Sequence, residues 1–222
     1  MKRLAEDLYQ LRGFPRHAIN VYLMGDVIVD AGTRHAERRI LRQVAGKAVT
    51  AHALTHAHPD HQGASHAICE TLAVELWCGE QDVWAMQTPG GISASTPPGL
   101  VNRLQERLWT GPPHPVARRL REGDEVAGFR VLDVPGHSPG HVAFWREADR
   151  VLVLGDVLNN MNVMTGISGL HEPLRVFTPD PARNRESARR VAELAPELVC
   201  FGHGPPLRDP ERLSRFVAGL PD

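Results

Sequence analysis

Three imidazoles and one carboxylate fall within six residues in Thr55-His56-Ala57-His58-Pro59-Asp60-His61. Imidazole and carboxylate are ligands for zinc, iron, nickel or manganese, and the lack of a neighbouring thiolate argues against a closed structural zinc site. His56 and His58 alternate, so at the end of an extended strand their side chains point the same way. Pro59 then favours a turn, which lets Asp60 and His61 face a second point close by. Four more places offer one polar side chain each after an apolar run: His137 in Val134-Pro135-Gly136-His137, Asp156 in Leu154-Gly155-Asp156, His203 in Phe201-Gly202-His203-Gly204, and Asp30 in Val29-Asp30-Ala31-Gly32. Asp30 reads as a support for a ligand rather than a ligand. A lone histidine after a strand is more often structural. Beside the dense cluster, the set reads as one metal centre.

Those side chains need elements to carry them. Segments Ile19–Leu23 and Val27–Asp30 read as a hairpin around Met24-Gly25-Asp26, followed by a helix over Ala36–Val44 and a buried strand over Ala48–Thr55 that stops at the cluster. A helix over Gln62–Leu72 and a strand over Val74–Cys78 come next. Residues 79–115 are rich in proline and glycine and bracket a helix over Leu100–Trp109. So long an interruption suggests a lid or a dimerisation face, with Trp84, Met86, Leu100, Leu104, Leu108 and Trp109 as its apolar side chains. Strands resume at Glu125–Val134, His141–Arg146 and Val151–Gly155. The stretch Asn159–Pro181 looks irregular. A helix over Asn184–Ala195, a strand over Leu198–Phe201 and a helix over Pro210–Leu220 close the chain. Strand blocks followed by helices predict two sheets packed face to face with helices outside.

With 222 residues, one domain spanning 1–222 is expected, carrying the insertion at 79–115. Lys+Arg number 25 against Asp+Glu 26, a net charge of −1, which leaves no basic excess to track phosphates; no nucleic-acid partner is expected. Arginines crowd the C-terminal third, but interleaved acids make them solvated helix faces. Cys69, Cys78 and Cys200 lack CxxC spacing and read as buried, reduced thiols. The polar start MKRLAEDLYQLRG and the absence of a long apolar run point to a cytoplasmic protein without membrane contact.

The series His56-x-His58-x-Asp60-His61, Pro-Gly-His137-Ser-Pro-Gly-His141, Gly-Asp156 and Gly-His203-Gly resembles the metallo-β-lactamase superfamily over nearly the whole chain. The resemblance implies an α+β fold, a four-layer αββα sandwich with a dinuclear site between its loops. One divalent ion would be held by His56, His58 and His137, the other by Asp60, His61 and His203, with Asp156 bridging. Zinc is the expected metal, with iron or manganese as alternatives. The implied chemistry is hydrolysis of an ester-like bond in a small molecule by a bridging hydroxide, with Asp60 orienting it and taking up its proton. Relatives of the thiol-containing β-lactamase type carry Cys where Asp156 lies, so the aspartate favours the glyoxalase II and lactonase branch, and hence thioesters or lactones. The chain departs from glyoxalase II after Asp156, where Val-Leu-Asn-Asn-Met-Asn replaces the Gly-Cys-Gly-Arg run of that family, and it leaves no room for the family's glutathione-binding helical domain. Alternatives are a mono-iron persulfide dioxygenase and a phosphodiesterase. His141 is assigned to the fold or to ligand support. His171 and His114 lie in irregular segments, with His171 kept as a substrate candidate and both more simply solvent-exposed. A homodimer is compatible with the insertion.

Overall fold

Strand side chains alternate between two apolar surroundings, and that alternation builds the layers. The computed structural model describes residues 1–221. Seven strands lie side by side in chain order: β1 (Lys2–Ala5), β2 (Leu8–Gln10), β3 (Tyr22–Met24), β4 (Val27–Val29), β5 (Ala51–Ala53), β6 (Glu75–Gly79) and β7 (Val116–Leu120). The others are β8 (Glu125–Val126), β9 (Phe129–Asp133), β10 (Val142–Arg146), β11 (Val151–Gly155), the two-stranded ribbon of β12 (Asn159–Met161) and β13 (Ser168–His171), and β14 (Leu198–Phe201). A second sheet runs β14-β11-β10-β9-β8.

Tyr22, Met24, Val27 and Val29 of the first sheet meet Phe129, Val131, Phe144 and Val153 of the second in one buried layer. The intervening residues face outward. Leu23 and Ile28 pack under α1 (Glu37–Val44) and, beyond the short turn α2 (Pro59–Gln62), under α3 (Ser65–Leu72), through Ile40, Val44 and Ile68. Three helices fill the insertion: α4 (Val83–Gln87), α5 (Gly91–Ser95) and α6 (Leu100–Trp109). Leu152 and Leu154 pack under α7 (Pro181–Glu193) and α8 (Pro210–Ala218), through Val191, Leu213 and Val217. The order is helices, sheet, sheet, helices: the αββα sandwich.

Several elements differ from the sequence reading. The polar N-terminus forms β1 and β2, an edge hairpin whose Leu4 and Leu8 are buried. The single strand expected over Glu125–Val134 is a hairpin, because Ala127 and Gly128 both take positive φ and turn the chain. The stretch Asn159–Pro181 contains the ribbon of β12 and β13. Helix α7 starts three residues earlier than expected: Asp180 caps it by accepting from the Arg183 N–H, and Pro181 sits at the first turn. Arg185 is buried and paired with Glu172 at 2.6 Å, so it is no solvated arginine. All three cysteines are free and buried. Among the described residues no helix is long and apolar enough to cross a membrane.

Candidate metal centre

The strand ends converge at one edge of the sandwich. The His56–His61 segment follows β5, His137 lies between β9 and β10, and Asp156 and His203 follow the parallel neighbours β11 and β14. The Val142 N–H donates to the Thr55 carbonyl at 2.8 Å, tying the start of β10 to the chain just before the histidine cluster. Two glycines permit the approach. Gly136 has φ +133°, and a Cβ there would lie 2.2 Å from the Asn184 nitrogen; a Cβ on Gly202 would lie 1.9 Å from Asp156 Oδ1.

The seven expected ligand side chains meet. His58 Nδ1 is 2.9 Å from His137 Nε2. His203 Nε2 is 3.0 Å from Asp156 Oδ2 and 3.2 Å from Asp60 Oδ2. Asp156 stands between the halves, with Oδ1 3.6 Å from His61 Nε2 and Oδ2 3.6 Å from His137 Nε2. Donor atoms of His56, His58 and His137 form one group within 4.8 Å, those of Asp60, His61 and His203 another, and those of His56, His61 and Asp156 a third.

Most of the rings are held from behind. Thr55 Oγ1 lies 3.0 Å from His56 Nδ1, Asp30 Oδ2 2.9 Å from His61 Nδ1, and Thr178 Oγ1 3.0 Å from His137 Nδ1; the Ala18 carbonyl meets His203 Nδ1. Such partners fix the tautomer that leaves the other nitrogen free to bind a metal. Asp30 has the supporting position expected of it, and it also accepts from the Thr55 N–H at 2.8 Å. His141 Nε2 accepts from the Asp156 N–H at 3.2 Å, a supporting contact for the central carboxylate.

Burial and neighbours set the charges. Burial, reinforced by the other histidines, holds His56 and His137 far below the usual imidazole value, and burial takes His58 down to about 4. For His61 burial acts in the same direction, but Asp156 and Asp30 outweigh it and raise its pKa well above normal. His203 is pushed up to about 10 against burial by Asp156 and Asp60. Burial opposes ionisation of Asp156, yet His203 and His61 hold its carboxyl well below the usual range; Asp60 is lowered likewise. Two buried carboxylates, Asp60 and Asp156, are thus balanced by protons on His61 and His203, at atoms where a cation could take the protons' place. Four of the cluster's buried atoms, His56 Nε2, His58 Nε2, His61 Nε2 and Asp156 Oδ1, have no hydrogen-bond partner in the protein. Each unpaired atom costs about 1–3 kcal/mol, which coordination would remove. The donor set fits divalent metal.

Sequence reasoning missed three supports. Asp82 is buried and accepts from the Ala57 N–H, the Ser138 hydroxyl and the Gly140 N–H at 2.9, 2.7 and 2.7 Å, joining the first ligand loop to the His137 loop. Thr178 had no signal beyond its residue type. Asn20 donates to the carbonyls of Phe201 and Gly204, so the loop before β3 grips both sides of His203.

A cavity of about 360 Å³ opens over the centre, bordered by His58, Asp60, His137, Asp156 and His203. Of the six apolar side chains expected to line it, Trp109 does. Met86 is buried in the fold beneath, while Trp84, Leu100, Leu104 and Leu108 face solvent. Ile92, Val101, Leu174 and Phe177 line the cavity in their stead. His171 pairs across the ribbon with Asn159 and is not among the lining residues, and His114 turns instead to His66.

The profile of the metallo-beta-lactamase superfamily matches residues 15–203, and the chain belongs to that superfamily. It is 29% identical to the probable metallo-hydrolase YybB of Bacillus subtilis (strain 168), over 80% of this chain and 74% of that one. A protein solved in a di-iron-bound form, TTHA1623, superposes with a TM-score of 0.67 at 30% identity, covering 94% of this chain and 91% of the other. The likeness to the hydroxyacylglutathione hydrolase GloC of Haemophilus influenzae (strain ATCC 51907 / DSM 11121 / KW20 / Rd) is 30% but spans only 47% of this chain and 48% of that protein. The protein is a metal-dependent hydrolase.

Proposed function

We propose that the protein hydrolyses the ester-like bond of a small, uncharged substrate with an apolar acyl or aromatic group, a thioester or lactone in preference to a phosphodiester. One ion would be held by His56, His58 and His137, a second by Asp60, His61 and His203, with Asp156 shared. Divalent metal held by these residues would supply Lewis acidity, activating a water as nucleophile and polarising the scissile carbonyl. Asp60 lines the cavity, stays ionised and lies against His203, which supports a role in orienting the attacking water and accepting its proton.

The observation that carries the substrate class is the wall of the cavity. Ile92, Val101, Trp109, Met161, Leu174 and Phe177 supply it, and no lysine or arginine lines it among the described residues. Away from the cations at the centre, a phosphodiester or the carboxylates of glutathione would meet no basic side chain on the wall, only the carboxylate of Glu106. Segment 79–115 then serves as the wall and cover of the site through the inner side of α6. Its outer side carries Leu100, Leu104 and Leu108 and is the surface on which a second copy would pack; light-scattering mass in solution tests that.

Metal analysis combined with a substrate panel tests the reading. About two zinc or manganese ions per chain, with turnover of acyl thioesters or lactones that rises with acyl length, is the expected result. Turnover confined to phosphodiesters would reject it. A single iron per chain with persulfide-dependent oxygen uptake would replace it with the dioxygenase.

A further inference from the structure

A second group of ligand-type side chains lies outside the centre. His66 and Glu70 are four residues apart on α3 and so share a face. His114 comes to that face from the far end of the insertion, its backbone N–H donating to the Met86 carbonyl at 3.1 Å and prolines on both sides limiting its backbone freedom. His66 Nδ1 and His114 Nδ1 are 3.1 Å apart, with the rings at 69°, and one donor atom from each of the three residues lies within 4.8 Å of the others. With Zn–N bonds of about 2.0–2.1 Å, a nitrogen separation of this size corresponds to an N–Zn–N angle near 100°, roughly 10° from tetrahedral.

We propose that His66, His114 and Glu70 form a separate site for a divalent cation of the zinc class, with its remaining position open to solvent. Two imidazoles and a carboxylate with no thiolate suit zinc, nickel or copper over calcium or magnesium. None of the three residues lines the cavity over the main centre, and the group shares no member with the clusters there. The place of the site gives it a task. Helix α3 begins four residues after His61, and His114 lies five residues after Trp109, which walls the cavity. A cation bound here fastens the end of the insertion to the helix that follows the metal-binding turn.

The test strips the full-length protein with a chelator, equilibrates it with zinc alone and measures zinc per chain, for the native protein and for His114→Ala and His66→Ala. The native chain is expected to hold one more zinc than either variant, a difference that stands whatever the main cluster contains. The variants should keep their hydrolytic rate and lose the part of the zinc-induced rise in melting temperature that saturates separately. Glu70→Gln changes an exposed side chain without threatening the fold, and should weaken this binding step by about tenfold or more. Equal zinc content in native protein and variants, with unchanged affinity in Glu70→Gln, would reduce the pair to an imidazole–imidazole hydrogen bond and overturn the proposal.

Discussion

Asp82 shows how much of the centre depends on a residue that touches no substrate. Its carboxylate satisfies three donors from two ligand loops while burial pushes its pKa upward, so its ionised form persists through those hydrogen bonds. Asp82→Ala leaves the Ala57 and Gly140 N–H groups and the Ser138 hydroxyl without a partner. Removal should cost about 3 kcal/mol in chemical denaturation and reduce metal retained through dialysis. An unchanged unfolding midpoint would show that the loops hold themselves. The seven candidate ligands were legible in the sequence because four of them crowd into His56–His61 and the others each follow an apolar strand and a glycine. Asp82 was not, because a lone aspartate between a strand and a helix has the same appearance as any helix cap. Asn20 and the Ala18 carbonyl lie deeper still, since they contact a loop that comes nearly the whole chain later.

At the scale of elements, periodicity identified what packs and missed what twists. Helix α6 and strands β11 and β14 fall at the residues expected, because each is an uninterrupted apolar pattern between breakers. Strand β7 escaped because Arg118 and Arg119 interrupt its apolar pattern, as an edge strand tolerates. The insertion also changes its meaning once its residues are placed. Its first residues carry Asp82, so removing the whole of 79–115 would damage the metal loops as well as the cover. A narrower change separates the two. Trp109→Ala trims the cavity wall and leaves every metal-centre contact in place. For long-chain or aromatic acyl substrates KM should rise roughly tenfold, the loss of about 1.5 kcal/mol of apolar contact, while short-chain esters and metal content stay unchanged. Equal KM values across the series would mean that the acyl group lies elsewhere.

For the whole molecule, the centre is where the two halves of the sandwich are joined, since His56, His58, Asp60 and His61 come from the first sheet's side and His137, Asp156 and His203 from the second. The charge state of that junction therefore governs stability when metal is removed. On the acid side, burial lowers His52 and His58 from 6.5 to about 4. An unfolded chain takes up protons below 6.5 that these folded imidazoles refuse, so stability falls as pH drops through this window. Asp60 and Asp156, with pKa values depressed from 3.8, add a further loss below it. On the alkaline side the sign reverses. His203 is raised from 6.5 to about 10, and His61 is raised too. Their stabilising protons are fully held below 6.5 and are lost as pH climbs towards about 10. The chelated protein should therefore melt highest near neutral pH and lower on both sides. Divalent cations held as proposed would replace the protons on His61 and His203 between the same carboxylates, so metal should raise the melting temperature and flatten the alkaline limb. Melting curves from pH 4 to 10, with chelator and with zinc, measure both limbs. A chelated protein whose melting temperature stays level from neutral to alkaline pH would show that the buried carboxylates are not balanced by protonated histidines, and that the junction holds without positive charge.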